Sequence, residues 1–145
     1  ILKNLGPEPL SYEFNDSVLY NSSIGKSKNI KAFIMDSNVV VGVGNIYASE
    51  SLFLAGISPR RVSGKTSKNR YKTLTESIKK ILVDAINNGG TTLNDFSNVD
   101  GSPGYFSQVL SVYDRENQPC IRCSGKIRRI IQNQRSTYYC PQCQK

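Results

Sequence analysis

The stretch Cys120-Ile121-Arg122-Cys123-Ser124-Gly125-Lys126-Ile127-Arg128-Arg129-Ile130-Ile131-Gln132-Asn133-Gln134-Arg135-Ser136-Thr137-Tyr138-Tyr139-Cys140-Pro141-Gln142-Cys143 holds all four cysteines of a 145-residue chain, as two CxxC pairs. Each CxxC turn aims two thiolates at one metal, with Zn–S bonds of about 2.3 Å, and two such turns complete a closed four-sulfur shell. Cys120, Cys123, Cys140 and Cys143 are therefore the predicted ligands of one structural Zn2+, with no open position for chemistry. Two disulfides are the competing arrangement. A basic chain that starts Ile1-Leu2-Lys3-Asn4, without a secretion signal, gives no reason to expect an oxidising compartment.

Between the pairs, Lys126 to Ile131 and Gln134 to Tyr139 are rich in β-forming residues and flank the turn-prone Gln132-Asn133, which predicts a β-hairpin with one cysteine pair at each end. Residues 114 to 145 are too few to bury a self-sufficient core, so metal binding there is folding. This module has seven cations against Asp114 and Glu116, a net +5 out of the chain's formal +8.

Upstream, the composition supports a modest core, with 38% hydrophobic residues. No apolar run approaches the roughly twenty residues of a membrane helix, and a soluble protein is expected. The pI near 9.4 favours a polyanionic partner, because each neutralised phosphate releases counterions. Histidine is absent, which removes the commonest general base. Leu5-Gly6-Pro7-Glu8-Pro9-Leu10 reads as a rigid linker. A short helix is expected over Ser11 to Tyr20, a polar loop over Asn21 to Asn29, and a helical run over Ile30 to Met35. In Val39 to Phe53, valines and glycines resist helix up to Gly44; Asn45 then reads as an N-cap, with Ile46, Ser49, Leu52 and Phe53 on one helical face and Gly56 as the stop. The amides of such a helix start attract phosphate oxygens. An ordinary capped helix is the plainer reading. Ser58-Pro59-Arg60-Arg61 is a basic connection. The longest helix is expected from Ser67 to Asn87, where Tyr71, Leu74, Ile78, Ile81, Leu82 and Ala85 recur at three- and four-residue steps as core packing. A short helical turn from Thr91 to Phe96, a loop over 98–106 and a strand through Leu110, Val112 and Tyr113 complete the reading. The fold class is mainly α with a small C-terminal β-hairpin zinc finger.

The stretches LGPEPLS at 5–11, IKAFIMD at 30–36, VVVGVGNIYASESLFLAGISP at 39–59, AINNGGTTLNDF at 85–96, GSPGYFSQVLSVYDR at 101–115 and QRSTYYCPQCQK at 134–145 together resemble the C-terminal half of bacterial formamidopyrimidine-DNA glycosylases. The resemblance implies a linker at 1–10 from a preceding β-sandwich catalytic domain, a helix-two-turn-helix DNA-binding domain at 11–113 and a four-cysteine zinc finger at 114–145. In that family the nucleophile is the amine of an N-terminal proline followed by a glutamate. No catalytic residue is therefore expected within this chain. The implied function of the full-length parent is base-excision repair of oxidised purines, as a DNA glycosylase with AP lyase activity; the chain alone is expected to be inactive.

By the same resemblance, Asn45, Gly44 and Ile46 at a helix start, Arg135 in the finger, Tyr113 and Lys31 are expected to contact DNA, mostly at phosphates. Gly101, Ser102, Gly104, Tyr105 and Phe106 match the loop that covers a flipped oxidised purine. The implied partner is double-stranded DNA with oxidised bases or abasic sites, met by a cytoplasmic, nucleoid-associated monomer. Two alternatives stand beside this: the endonuclease VIII branch, which takes oxidised pyrimidines, and a non-catalytic zinc-ribbon nucleic-acid-binding module. Two positions depart from the family pattern, which has glycine where this chain has Asp114 and Ser124. If Ser124 needs a positive φ, the departure costs up to about 1 kcal/mol, with Gly125 available to absorb the turn.

Overall fold

The computed structural model describes residues 5–87 and 110–145. The order is α1 (Asp16–Ser23), α2 (Ile30–Met35), α3 (Asn45–Ala55), a 3-10 turn (Ser63–Lys65), α4 (Lys68–Asn87), β1 (Arg128–Gln132) and β2 (Arg135–Tyr139). This is the mainly helical class with a C-terminal hairpin. No helix among the described residues is long and apolar enough to cross a membrane.

The longest periodic runs form as their spacing predicts. α4 presents Tyr71, Leu74, Ile78 and Ala85 to the interior, and Tyr71 places its hydroxyl on the Ser63 carbonyl at 2.7 Å. α2 starts under the Asn29 side chain, which accepts from Ala32 N–H. α1 begins later than expected. Asn15, not Ser11, caps it by accepting from Val18 N–H, while the Ser11 hydroxyl donates to Glu8 O in a preceding turn. The helix then runs on to Ser23 and shortens the expected loop.

Helix α3 is buried on every side from Ile46 to Phe53, rather than along one face. Ala48 and Leu52 join Phe14, Leu19, Phe33 and Ile34 in the main core. Phe53 joins Val112, Cys120, Ile127, Tyr138 and Cys140 in a second cluster beneath the hairpin. Gly56 ends the helix in the left-handed region, φ 74°. At its other end the structure corrects the expected cap: Gly44 is the N-cap residue, Asn45 is the first helical residue, and no side chain caps the helix. The Asn45 side chain is drawn away to a separate set of partners.

Two strand expectations also change. The hairpin pairs Gln132 with Arg135, so the turn is Asn133-Gln134, one residue later than predicted. Both turn residues have positive φ, 51° and 66°, the twist that two-residue hairpin loops require. Leu110 to Tyr113 is not a strand. The N–H groups of Ser111, Val112 and Tyr113 all donate to the buried Glu50 carboxylate at 2.7 to 2.9 Å, so a side chain satisfies what a ladder would have. The helical turn at 91–96 and the loop at 98–106 lie outside the described residues.

Asp114 and Ser124 both adopt positive φ, 61° and 65°. Gly125 does not take over the turn. For serine the left-handed region costs about 1–2 kcal/mol, against about 0.5–1 kcal/mol for the extra entropy glycine loses on folding. Aspartate tolerates the region better. Ser124→Gly should therefore add about 0.5–1 kcal/mol of stability, read as a higher urea midpoint at unchanged m, while Asp114→Gly should stay within a few tenths. A destabilised Ser124→Gly would contradict the strain assignment.

Candidate metal centre and anion-binding cleft

The hairpin brings the four cysteines together. Sγ of Cys120 lies 3.7 Å from Sγ of Cys143, Sγ of Cys123 lies 3.5 Å from Sγ of Cys140, and all four fall within 4.8 Å of one another. A tetrahedron with 2.3 Å Zn–S bonds has edges of about 3.8 Å. The donor set and its spacing therefore fit one structural Zn2+. None of the cysteines is in a disulfide. Arg122 N–H and Gly125 N–H donate to the sulfurs of Cys120 and Cys123 at 3.3 and 3.4 Å, as knuckle turns do. Burial opposes ionisation of Cys120, yet the N–H groups of Arg122 and Cys123 bring its pKa down to about 7. Burial and then the neighbouring thiols push Cys143 up to about 12. A divalent cation held by Cys120, Cys123, Cys140 and Cys143 would allow all four to be thiolates together.

The finger grips both ends of α3. At the C-terminal end Arg122 stacks 4.6 Å over the Phe53 ring and donates to the Phe53 and Leu54 carbonyls at 3.1 and 3.4 Å. Gln144 donates to Ile57 O at 2.9 Å and accepts from Cys140 N–H at 2.7 Å. At the N-terminal end Asn45 Nδ2 donates to Ser136 O at 3.0 Å. The Lys31 ammonium, on α2, donates to Asn45 Oδ1 and to Thr137 Oγ1, the latter at 2.7 Å.

Lys31 is only 2% exposed. Burial first, and then the charge of Arg135, lowers its pKa from 10.5 to about 8. Lys31 and Arg135 line one cleft of about 360 Å³ with Lys28, Asp36, Gln132 and Asn133. Asp36 is engaged by Lys28 at 3.2 Å, which leaves Lys31 and the exposed Arg135 without an ion-paired acid among the described residues. The uncapped start of α3 stands beside them. This cleft is chemically a seat for an anion: a desolvated ammonium and a guanidinium line it, and the ammonium is hydrogen-bonded to the first residue of α3.

Asn45, Gly44, Ile46, Lys31 and Arg135 thus converge at the junction of α2, α3 and β2. Tyr113 reaches the neighbouring surface, its ring edge-on to Tyr138 at 5.0 Å and packed against the Ile46 cluster. Gly101, Ser102, Gly104, Tyr105 and Phe106 lie outside the described residues. Sequence reasoning missed Thr137, Glu50 and the capping role of Arg122. Alternation along Arg135-Ser136-Thr137 does place Thr137 on the same strand face as Arg135, a signal that was there to be used. Nothing in the sequence marked Glu50 as buried.

The profile of the formamidopyrimidine-DNA glycosylase H2TH domain matches residues 5–97, and that of the zinc finger found in FPG and IleRS matches residues 117–145. The chain belongs to the formamidopyrimidine-DNA glycosylase family. It is 62% identical over 144 residues to the formamidopyrimidine-DNA glycosylase of Ruthia magnifica, covering 99% of this chain and 54% of that protein. The enzyme of that name from Alcanivorax borkumensis is 54% identical over 145 residues, again over 54% of its length. The chain thus spans about half the length of the curated relatives it matches. Among solved structures, the MutM (FPG) protein of Thermus thermophilus superposes with a TM-score of 0.87 at 36% identity, over 99% of this chain and 55% of that one. The Lactococcus lactis Fpg in complex with abasic-site DNA gives 0.85 at 32%, over 99% and 53%. Family membership accounts for the pairing of an H2TH domain with a zinc finger.

Two outcomes check the site. Chelation of the metal should release about one zinc per chain and abolish the near-ultraviolet signal of the Tyr113–Tyr138 pair; persistence of that signal would contradict metal-dependent folding. The unfolded chain holds the Lys31 proton up to pH 10.5 and the folded chain only to about 8, so between these values the unfolded state binds more protons and stability rises with pH. Relative to Lys31→Met, the wild type should gain up to about 3 kcal/mol across that window in denaturant titrations.

Proposed function

We propose that this chain is the DNA-binding portion of a bifunctional glycosylase and AP lyase for oxidised purines, and that it holds the damaged strand by its phosphates. The observation that carries the reading is the pair of acid-free cations, buried Lys31 and exposed Arg135, facing one cleft beside the uncapped start of α3. Relatives are DNA glycosylases, and several structural neighbours are bound to abasic or lesion-containing DNA.

On this reading Asn45 and the Ile46 amide meet a phosphate beside the extruded nucleotide, Gly44 leaves room for it, and Arg135 clamps it from the finger, with Lys31 beneath and Tyr113 at the flank. Extruding a base costs a few kcal/mol of stacking and pairing, which clamps on a bent backbone offset. Such contacts carry no sequence information, as suits an enzyme that acts in any context. Residues 11–113 form the helix-two-turn-helix unit, 114–145 the finger, and 1–10 the connection to a catalytic domain that supplies the nucleophile. Gly101, Ser102, Gly104, Tyr105 and Phe106 are assigned to the flipped base by resemblance alone. The protein works as a monomer in the cytoplasm, at the nucleoid.

Binding to a duplex with an abasic-site analogue should be steeply salt-dependent, with no borohydride-trapped adduct; a trapped adduct would place a nucleophile in this chain. Arg135→Ala should weaken binding roughly tenfold and reduce the slope of log K against log salt by about one. Asn45→Ala should weaken it similarly with the slope unchanged, since no charge is lost. Unaltered affinity in both variants, with the fold intact by circular dichroism, would sink the phosphate-clamp assignment.

A further inference from the structure

Between Glu50 and Glu76 the sequence has no acidic residue and six cations, Arg60, Arg61, Lys65, Lys68, Arg70 and Lys72. The fold gathers them on the connection that follows α3, the 3-10 turn and the opening turns of α4. Arg60, Arg61 and Lys65 line one cleft of about 590 Å³ with Ser58, Tyr139 and Lys145, and no acidic side chain borders it. None of the six cations is ion-paired among the described residues, where the pairs are Lys28–Asp36 and Lys80–Asp84.

Three features of this face work against the stability of the protein alone. Arg70 is half-buried, and its Nη1 is shut from solvent without an acceptor. Burial, and then the charge of Arg61, holds Arg70 below the usual guanidinium range. The first turn of α4 contains no acid and carries Lys68 and Arg70, followed by Lys72, at the end of a helix whose dipole favours negative charge. Each of these is relieved by an anion. One small anion would meet one or two of these cations, whereas six spread along a loop and a helix start match a linear array of negative charges.

The face is also fastened to the cleft of Lys31 and Arg135. Ile30 N–H donates to Arg61 O at 2.8 Å, and Gln132 Nε2 donates to Pro59 O at 3.0 Å. These two bonds join the segment that carries Arg60 and Arg61 directly to α2 and β1, which flank the first cleft.

We propose that the Arg60–Lys72 face is a second phosphate-backbone site, which takes the flank of the duplex held at the Lys31–Arg135 cleft, independent of lesion and sequence. This rests on the DNA-binding reading above and extends it. The test is the triple variant Arg60→Gln/Lys65→Gln/Lys68→Gln, all exposed positions outside the first cleft, measured with duplexes of roughly 10 and 30 base pairs carrying a central abasic-site analogue. On the long duplex the slope of log K against log salt should fall by about two to three, following roughly 0.9 per phosphate contact, with at least a tenfold loss of affinity at low salt. The short duplex should bind as before. An unchanged slope on the long duplex overturns the proposal, as does an equal loss on both lengths, which would reflect net charge alone. A second bound duplex that the variant abolishes overturns it too, in favour of a separate molecule. If the wild type binds neither duplex, the DNA-binding reading itself fails; if it binds, and only Asn45→Ala and Arg135→Ala weaken it, this inference alone is wrong.

Discussion

The fold depends on a helix held at both ends by a zinc finger. Helix α3 lies between the helical core and the hairpin, and hydrogen bonds from Asn45 at its start and from Arg122 and Gln144 near its end tie it to the finger. The cluster beneath the hairpin has only six buried side chains, two of them cysteines. So small an apolar contribution cannot offset the ordering entropy of the module, at about 1–2 kcal/mol per residue. Four sulfurs on one metal make up the difference, with structural zinc worth on the order of 10 kcal/mol or more. Metal, hairpin and cleft form a single chain of dependence, because Arg135 meets Lys31 only while β2 stays docked on α3.

The seam between hairpin and helices is polar, and it is costly. A leucine at position 31 would pack between α2, Asn45 and Thr137 with no charge to desolvate. The ammonium there keeps two hydrogen bonds, yet its lowered pKa records what burial takes from it. Buried charge without an acidic partner is unusual enough to require a reason, and an incoming anion supplies one. The same opposition between stability and binding appears on the Arg60–Lys72 face, where cations crowd the wrong end of a helix dipole.

Much of this was readable from the residues. Helices α2, α3 and α4 follow from apolar period, the end of α3 from Gly56, and the metal site from four cysteines at ribbon spacing. The errors have local causes. Ser11 and Asn15 are both residue types that cap helices, but Ser11 is spent on a turn with Glu8 and Asn15 caps α1. The hairpin turn slipped by one because Gln134 is a rare occupant of a positive-φ turn position. Leu110 to Tyr113 alternates like a strand, but its N–H groups found a carboxylate instead of a neighbour. Within the site, Asn45 and Arg135 stood out by resemblance, whereas the burial of Lys31 and Glu50 stayed hidden because both residue types default to the surface. Long-range polar pairing leaves no periodic trace.

The metal shell itself is lopsided. Cys120 and Cys140 are buried and Cys143 is partly covered, but Cys123 is exposed. An electrophile or oxidant therefore meets that outermost sulfur before the others, and ligand loss proceeds from the rim inward. Dismantling has an order: Cys123 lets go first, while Arg122 beside it and Gln144 beyond the second knuckle still tie the module to α3 and the segment after it. In a module whose folding hangs on four sulfurs, the weakest link is thus the one at the rim.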